Sequence, residues 1–468
     1  MAGLTRALSR LGLAAIVTAL WAAGGCVAAD DGPWRLADAI KAPDWLSLSG
    51  SQRTRFETLD GQFRAGRNGG DQVLVFRTTL HGELRLEDLR LSIELADSRA
   101  KLADSGTPLS TGIVNTLELL QAYVRLTTDD LFAEGATSVL TAGRMTMDVG
   151  SRRLVARNRF RNTINSFTGL DWQWTGADGR HARAFVTLPV DRRPKRFAEL
   201  IDNERSFNRA STDVVFWGLF YQPPDLPWGD DGEAYLFGLH ERDSARRATR
   251  NRQLLTPGIR LRRPAAKGAF DYEIESVFQL GTSRSSTAAT NTTDLDHFAH
   301  FQHVEAGYSF DAFWSPRLAA QFDYASGDRD PNDGANERFD TLFGARRFEF
   351  GPTGIYGPFA RANLITPGLR LQLKPRSDIG VMLAHRAYWL ASDRDAWTTS
   401  GVRDTTGTTS SYLGQQVEAR LRWDLLPGNL RLEAGAAHLF DGTFMKDAPN
   451  ATRQGDATYV YTQLAFSF

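Results

Sequence analysis

One segment of the chain combines many guanidinium groups with very little acid. Residues 143–162 hold six arginines and a single acidic residue, Asp148. A guanidinium is planar and permanently charged, and its N–H donors can bind both oxygens of a carboxylate or phosphate at once. Such a segment indicates either a solvated basic rim that contacts lipopolysaccharide phosphates or a collar of fixed positive charge that favours anions. We favour the collar, with the segment folded inward.

Many other stretches of the chain alternate between apolar and polar residues. In one of them Leu318, Ala320 and Phe322 alternate with Gln321 and Asp323. A period of two is typical of β-strands that have one apolar and one polar face. In a membrane barrel the apolar face would meet lipid and the charged face would line the lumen.

The connections between these stretches alternate in length, as in outer-membrane barrels. The last residues, Thr458 to Phe468, form one more alternating strand, which we expect to close a ring against the first strand. The long connections include Leu59–Gln72, Ser98–Thr116, Met145–Asn162, Asp191–Thr212, Thr282–Asp296, Ser326–Arg361, Ala391–Ser411 and Asp441–Ala457. The short connections include Glu87-Asp88, Gly176–Gly179, Pro264–Gly268, Asp311–Trp314, Pro375-Arg376 and Leu425–Gly428.

These patterns predict an all-β fold, a transmembrane antiparallel up-and-down β-barrel of about 18 strands, formed by residues 30–468 as one domain. Residues 1–29 have the basic start, apolar stretch and small-residue end of a secretory signal peptide. Both features predict the bacterial outer membrane. A large soluble β-protein is the alternative, and lipidation of Cys26 is an alternative to ordinary cleavage.

The overall composition limits the function. The chain of 468 residues has 55 basic and 55 acidic residues, which does not suggest nucleic-acid binding. Cys26 is the only cysteine and lies in the predicted signal peptide, so we expect no disulfides. No Gly-x-Ser-x-Gly motif is present, so an outer-membrane hydrolase is a less favoured alternative. A structural barrel without transport is a further, separate alternative.

Strand parity and the basic segment together give the candidate pore residues. The alternative for each of them is an ion pair with an inward carboxylate, which would only satisfy buried charge. The predicted pore or substrate-binding residues are Arg77, Arg85, Arg144, Arg152, Arg153, Arg157, Arg183, Arg370, Arg386 and Arg422.

Two other groups of residues resemble metal sites only in part. Asp328, Asp330 and Asn332 begin a sequence similar to a calcium loop, but its glycine is one place late and its twelfth residue is Phe339. We expect a solvated acidic loop there, with loop calcium as the alternative and no other cofactor.

His297, His300 and His303 are spaced by threes, so on a strand His300 would point away from the other two. We therefore expect no shared metal.

Several blocks of the chain resemble the alginate-export family of outer-membrane barrels. Two positions differ from the family pattern: Thr168 replaces an expected acid, and residues 344–347 lack an expected proline. The similar blocks are Gly143-Arg144, Ser151 to Val155, Arg161 to Thr163, Ser166 to Leu170, Phe322 to Asp328, Phe339 to Phe343, Asn363-Leu364, Gly82 to Leu86 and Leu119 to Val124.

The resemblance implies an 18-stranded barrel with an arginine-rich pore that passes an anionic polyuronate outward. We therefore expect a monomeric, non-enzymatic channel whose partners are an anionic polysaccharide, outer-membrane lipid, lipopolysaccharide and periplasmic secretion proteins. An uptake porin for small anionic sugars or acids is the alternative. The sequence leaves the passenger's identity and the direction of transport open.

Overall fold

Large apolar side chains lie on the outer face of the sheet, and charged side chains lie on its inner face. The computed structural model describes residues 32–224, 226, 229–244, 247–453 and 455–468. Ile259 is 63% exposed and Leu219 is 52% exposed, whereas Glu275 and Arg386 are almost completely buried. This inverted arrangement suits a barrel with lipid outside and water inside. The predicted signal peptide and Cys26 lie outside the described residues.

The described residues form 19 strands, of which β14 has only two residues. The strands are β1 (Leu46–Asp60), β2 (Asp71–Leu86), β3 (Leu89–Lys101), β4 (Asn115–Asp129), β5 (Thr137–Met145), β6 (Phe167–Thr175), β7 (His181–Pro189), β8 (Val214–Gln222), β9 (Asp231–Glu241), β10 (Gln253–Arg263), β11 (Phe270–Ser283), β12 (Leu295–Ser309), β13 (Arg317–Ala325), β14 (Ala335–Asn336), β15 (Leu364–Arg376), β16 (Ile379–Trp389), β17 (Tyr412–Leu426), β18 (Leu430–Asp441) and β19 (Ala457–Ser467).

Eighteen of these strands form one closed antiparallel ring. Each of the eighteen strands pairs with the next one along the ring. The short β14 is not part of the ring but lies beside β12 in parallel, so β13 pairs directly with β15. The ring closes where β1 pairs with β19, with Arg53 opposite Ala465. Closure leaves no unpaired strand edge, which is the requirement for strands in lipid. The predicted fold class and strand number are confirmed.

One predicted turn is wrong by two residues. We expected a turn at Pro375-Arg376, but β15 continues to Arg376 and β16 begins at Ile379. The register between β15 and β16 shifts between Leu373 and Arg376. A proline has no N–H to donate to a neighbouring strand, so an irregularity of this kind accommodates it inside a strand.

Four short helices lie outside the strands in the part of the chain that the structure describes. None of these helices, within the described part of the chain, has the length and hydropathy needed to span a bilayer. They are α1 (Leu36–Ala39), α2 (Phe197–Ile201), α3 (Arg347–Phe350) and α4 (Thr443–Asp447).

The long connections pack against one another in apolar clusters. In one cluster the Trp397 ring stacks on Phe63 and Phe359, each with ring centroids 5.5 Å apart. In a second cluster Phe343 contacts Phe216 of β8, with centroids 4.9 Å apart. Burial of such rings fixes the connections relative to the barrel wall. The connections therefore form a packed layer rather than separate flexible loops.

Candidate functional site

The connection between β5 and β6, residues 146–166, crosses the lumen and is called the crossing segment below. Its Asn162 carbonyl accepts a hydrogen bond from Ser98 of β3 at 2.8 Å, and its Ser151 hydroxyl donates to Glu275 of β11 at 3.0 Å. Strands β3 and β11 lie far apart around the ring. The segment therefore lies inside the barrel, as the sequence predicted.

Guanidinium groups from the wall hold the crossing segment by its main chain. Arg53 Nη1 donates to the carbonyl of Arg159 at 3.0 Å, and Arg77 Nη1 donates to the carbonyl of Arg161 at 3.0 Å. For both wall arginines, no carboxylate in the described chain lies within ion-pair distance; we call such arginines uncompensated. A carbonyl carries only a partial charge, so these contacts satisfy the N–H donors without neutralising the guanidinium.

Most of the predicted pore arginines are instead paired with carboxylates. Arg77, Arg152 and Arg370 are uncompensated within the described residues, and Arg370 Nη2 donates to the Phe348 carbonyl at 2.6 Å. The pairs are Arg85–Glu83, Arg144–Glu118, Arg153 with Glu273, Glu275 and Glu349, Arg157–Glu94, Arg183–Asp171, Arg386–Asp323 and Arg422–Glu433. For these seven, the alternative of structural ion pairs matches the geometry.

The adjacent Arg152 and Arg153 have opposite environments. Arg152 is exposed, has a φ of 66°, and its guanidinium lies 5.3 Å from the centroid of the Phe348 ring. Arg153 is 4% exposed and contacts three glutamates, Glu349 among them. Burial alone would lower the pKa of Arg153, but these carboxylates together raise it well above its ordinary value. Arg153 fixes the segment, and Arg152 is available to solvent.

Further uncompensated arginines lie in the connections, and none of them is among the ten predicted pore residues. Burial and then the charge of Arg161 and other arginines lower the pKa of Arg346 to about 9. Burial and Arg67 lower the pKa of Arg64 to about 10, and burial and Arg161 lower that of Arg192 to about 10. In the described chain, no carboxylate lies within ion-pair distance of Arg64, Arg161, Arg192 or Arg346. Their positions in long connections were the only available signal.

The environment of these arginines has a direct chemical consequence. Burial first, and for Arg64, Arg192 and Arg346 also the charge of a neighbouring arginine, makes each guanidinium less stable in its charged form than it would be in water. An anion placed among them would relieve this repulsion and accept their remaining N–H donors. Guanidinium groups of this kind are suited chemically to bind a carboxylate or a phosphate.

A buried cluster on the opposite wall has the composition of a metal site. His303, Asp323 and Glu349 offer ligand atoms that lie within 4.8 Å of one another. However, Arg386 Nη1 lies 2.6 Å from Asp323, and Arg153 and Arg361 both contact Glu349. These guanidiniums already supply the positive charge that a metal ion would bring. The cluster is an ion-pair network that joins α3 to the wall.

The three histidines are arranged as strand parity predicts. His300 stacks on Tyr324 on the outer face, with ring centroids 5.0 Å apart. His297 and His303 are buried on the inner face, where His303 Nδ1 lies 2.6 Å from Asp323 Oδ1.

The predicted calcium residues have different neighbours. The Asp330 carboxylate accepts a hydrogen bond from the Asn332 N–H at 3.1 Å and lies 4.0 Å from Arg394. The buried Asp328 lies beside Asp395 instead, and its N–H donates to that carboxylate at 3.1 Å. Burial and the Asp395 charge raise the pKa of Asp328 to about 6. Loop calcium stays a prediction.

Comparison with solved structures finds similar barrels at low sequence identity. OccAB1 of Acinetobacter baumannii is 10% identical, with a TM-score of 0.56 over 91% of this chain and 97% of that chain. OccK8 (OprE) of Pseudomonas aeruginosa is 11% identical, with a TM-score of 0.55 over 90% and 98%. The outer membrane protein OpdK of Pseudomonas aeruginosa is 10% identical, with a TM-score of 0.53 over 90% and 99%. At these identities the likeness shows the fold alone.

Comparison with protein families is more specific. No curated protein matches the chain significantly. The family model described as alginate export matches residues 44–458, which includes nearly all of the barrel. The match extends from just before β1 into β19 and includes the crossing segment and its arginines. The chain therefore belongs to the alginate export family.

Proposed function

We propose that the protein is an outer-membrane channel that passes an anionic polysaccharide, such as an alginate-like polyuronate, outward. The observation that carries the proposal is the set of uncompensated arginines around the crossing segment. Arg77 and Arg53 bind its main chain and keep their formal charge, while Arg161 and Arg346 repel each other. Membership of the alginate export family supports a polyuronate as the passenger.

The mechanism that we propose is passive. A carboxylate that enters a narrow lumen loses part of its hydration, which costs free energy. Fixed guanidiniums offset this cost, because each one can donate two N–H groups to a carboxylate. Several weak sites in series let a polymer move from one to the next without a deep free-energy minimum. No residue needs to change its covalent state.

The test is efflux of a labelled polymer from liposomes that contain the refolded protein. We expect the double variant Arg77→Gln, Arg161→Gln to slow polymannuronate efflux and leave efflux of neutral dextran of equal length unchanged. Arg376→Gln is the matched control, because Arg376, the last residue of β15, is already paired with Asp378 of the short turn that follows. Equal polymannuronate efflux from the double variant and the control would reject the proposal.

A second candidate is uptake of small anionic sugars or acids. It is favoured by the fold neighbours, which include a structure of OpdK with vanillate. A channel for small anions would pass a uronate monomer and exclude the polymer. Efflux of both probes from the same liposomes therefore separates the two candidates.

The remaining elements of the proposal concern the environment of the barrel. The outward apolar side chains support a barrel in the bacterial outer membrane, in contact with lipid and lipopolysaccharide. We propose that this barrel is a monomer. Periplasmic secretion proteins would deliver the polymer to the periplasmic opening. Calcium at Asp328, Asp330 and Asn332 is a further proposal, which calcium-dependent melting of the refolded barrel would test.

A further inference from the structure

A cavity of about 380 Å³ lies between the crossing segment and the inner wall formed by β1 to β4. It is open to the lumen and is lined almost entirely by polar side chains, among them Ser51, His81 and Tyr123. Its volume lies within the range of about 300–1,000 Å³ that is typical of ligand sites. The cavity lies in the half of the barrel where the connections are short, because Arg125 in its lining is near the end of β4 that precedes the short connection 130–136. In outer-membrane barrels the short connections face the periplasm.

The cavity contains one cation that is not neutralised. Arg125 Nε donates to Thr141 Oγ1 at 3.3 Å, and its guanidinium lies 5.0 Å from the centroid of the Tyr123 ring. Arg125 is uncompensated within the described part of the chain. The second arginine in the lining, Arg157, is paired with Glu94 at 2.9 Å and so contributes little net charge.

The rest of the lining offers hydroxyl groups rather than charges. Ser51 Oγ and Thr79 Oγ1 lie 2.9 Å apart, and His81 Nε2 lies 2.6 Å from Ser92 Oγ. The Tyr123 hydroxyl has no hydrogen-bond partner among the described residues. A hydroxyl group can donate or accept a hydrogen bond, so it can pair with a sugar hydroxyl that does the opposite.

We propose that this cavity is a binding subsite for a single uronate unit at the periplasmic side of the constriction. Arg125 binds the carboxylate, while Tyr123, Ser51 and Thr79 bind ring hydroxyls. A uronate carries one carboxylate and several hydroxyls. The carboxylate complements the single uncompensated guanidinium of the lining, and the hydroxyls complement its hydroxyl groups. The inference rests on the proposed function and names where the passenger is first recognised.

The test uses single-channel recordings of the refolded full-length barrel, with trimannuronate added on the periplasmic side. The quantity measured is the residence time of each blocking event. Arg125→Gln should shorten the residence time about tenfold, because it removes a charge-assisted contact. Arg125→Lys keeps the positive charge but cannot donate two parallel N–H groups to one carboxylate, so its residence time should lie between those of wild type and Arg125→Gln. Tyr123→Phe should shorten block by trimannuronate and by neutral mannotriose alike.

The outcomes separate this inference from the proposed function. If Arg125→Gln shortens only the trimannuronate block, the subsite is supported. If the residence time stays unchanged in both Arg125 variants while the channel remains anion-selective, the subsite is wrong and the channel function stands. If trimannuronate blocks wild-type protein no better than mannotriose does, both the subsite and the proposed function are rejected.

Discussion

At the scale of single residues, the partner of each arginine decides whether it contributes charge to the lumen. A guanidinium paired with a carboxylate is nearly neutral from a distance, whereas one that donates to a carbonyl keeps its charge. Arg183 is of the first kind and Arg77 is of the second. Hydrogen bonding of an arginine to the main chain therefore does not by itself remove its charge.

The first prediction concerns Arg152, which is exposed and uncompensated among the described residues. Arg152→Ala removes a charge from the lumen without removing a buried contact, so we expect a smaller anion preference and an unchanged melting temperature. The reversal potential in a salt gradient measures the preference. An unchanged reversal potential would place Arg152 away from the ion path.

The second prediction concerns its neighbour Arg153. Arg153→Ala leaves buried glutamates, including Glu275 and Glu349, without their shared cation. Removing one partner of a buried ion pair costs about 3–5 kcal/mol, so we expect a large loss of unfolding free energy. Urea unfolding of the refolded barrel measures it. Arg152→Ala is the matched control. Equal losses of unfolding free energy in the two variants would contradict the role of Arg153 as a buried cation that stabilises the fold.

The third prediction concerns the pH dependence of the connection 326–363. Burial and Asp395 raise the pKa of Asp328 to about 6 from an ordinary value of 3.8, so the folded connection binds this proton more tightly than the unfolded chain does. Its stability should therefore rise as pH falls through 6 towards 4, and the gain is absent at neutral pH. Limited proteolysis at pH 7.5 and pH 5 measures this change.

A substitution at the same residue gives the control. Asp328→Asn removes the buried charge and should make proteolysis nearly independent of pH, with protection at pH 7.5 equal to that of wild type at pH 5. If wild type is cleaved at the same rate at both pH values, the Asp328 carboxyl does not control the connection.

At the scale of elements, the wall and the crossing segment differ in how much the sequence could predict. Alternation predicted the inward position of Arg183 and Arg386, because neighbours on a strand point to opposite faces. It did not predict their carboxylate partners, because a partner on another strand depends on register. Pairs such as Arg386–Asp323 join strands that are distant in sequence. The turn at Pro375 was misplaced because an isolated proline usually marks a strand end.

The fourth prediction concerns the crossing segment as a unit. Replacing residues 147–161 by a short Gly-Ser linker removes both the obstruction and all five of its arginines. We expect a severalfold larger single-channel conductance and a weaker anion preference. The control is an equivalent replacement within residues 284–294, which connect β11 to β12. Equal conductance of the two variants would mean that the segment does not form the constriction.

At the scale of the whole molecule, the fold was predictable and the charge distribution was not. The period-two pattern and the alternation of long and short connections depend on local sequence, and they were sufficient for the barrel and its strand number. The charge of the lumen depends on contacts between connections. Arg64 and Arg346 are remote in sequence yet both lie near Tyr356 and Gly357, where they donate to carbonyl groups. Such contacts form only once the connections have packed.

The most direct test is the reversal potential of the refolded barrel in a potassium chloride gradient, with polymannuronate and a neutral glucan added in turn. The uncompensated arginines predict a preference for chloride and block by polymannuronate alone. A preference for potassium, or equal block by the neutral glucan, would contradict an arginine-based conduit for anionic polysaccharide.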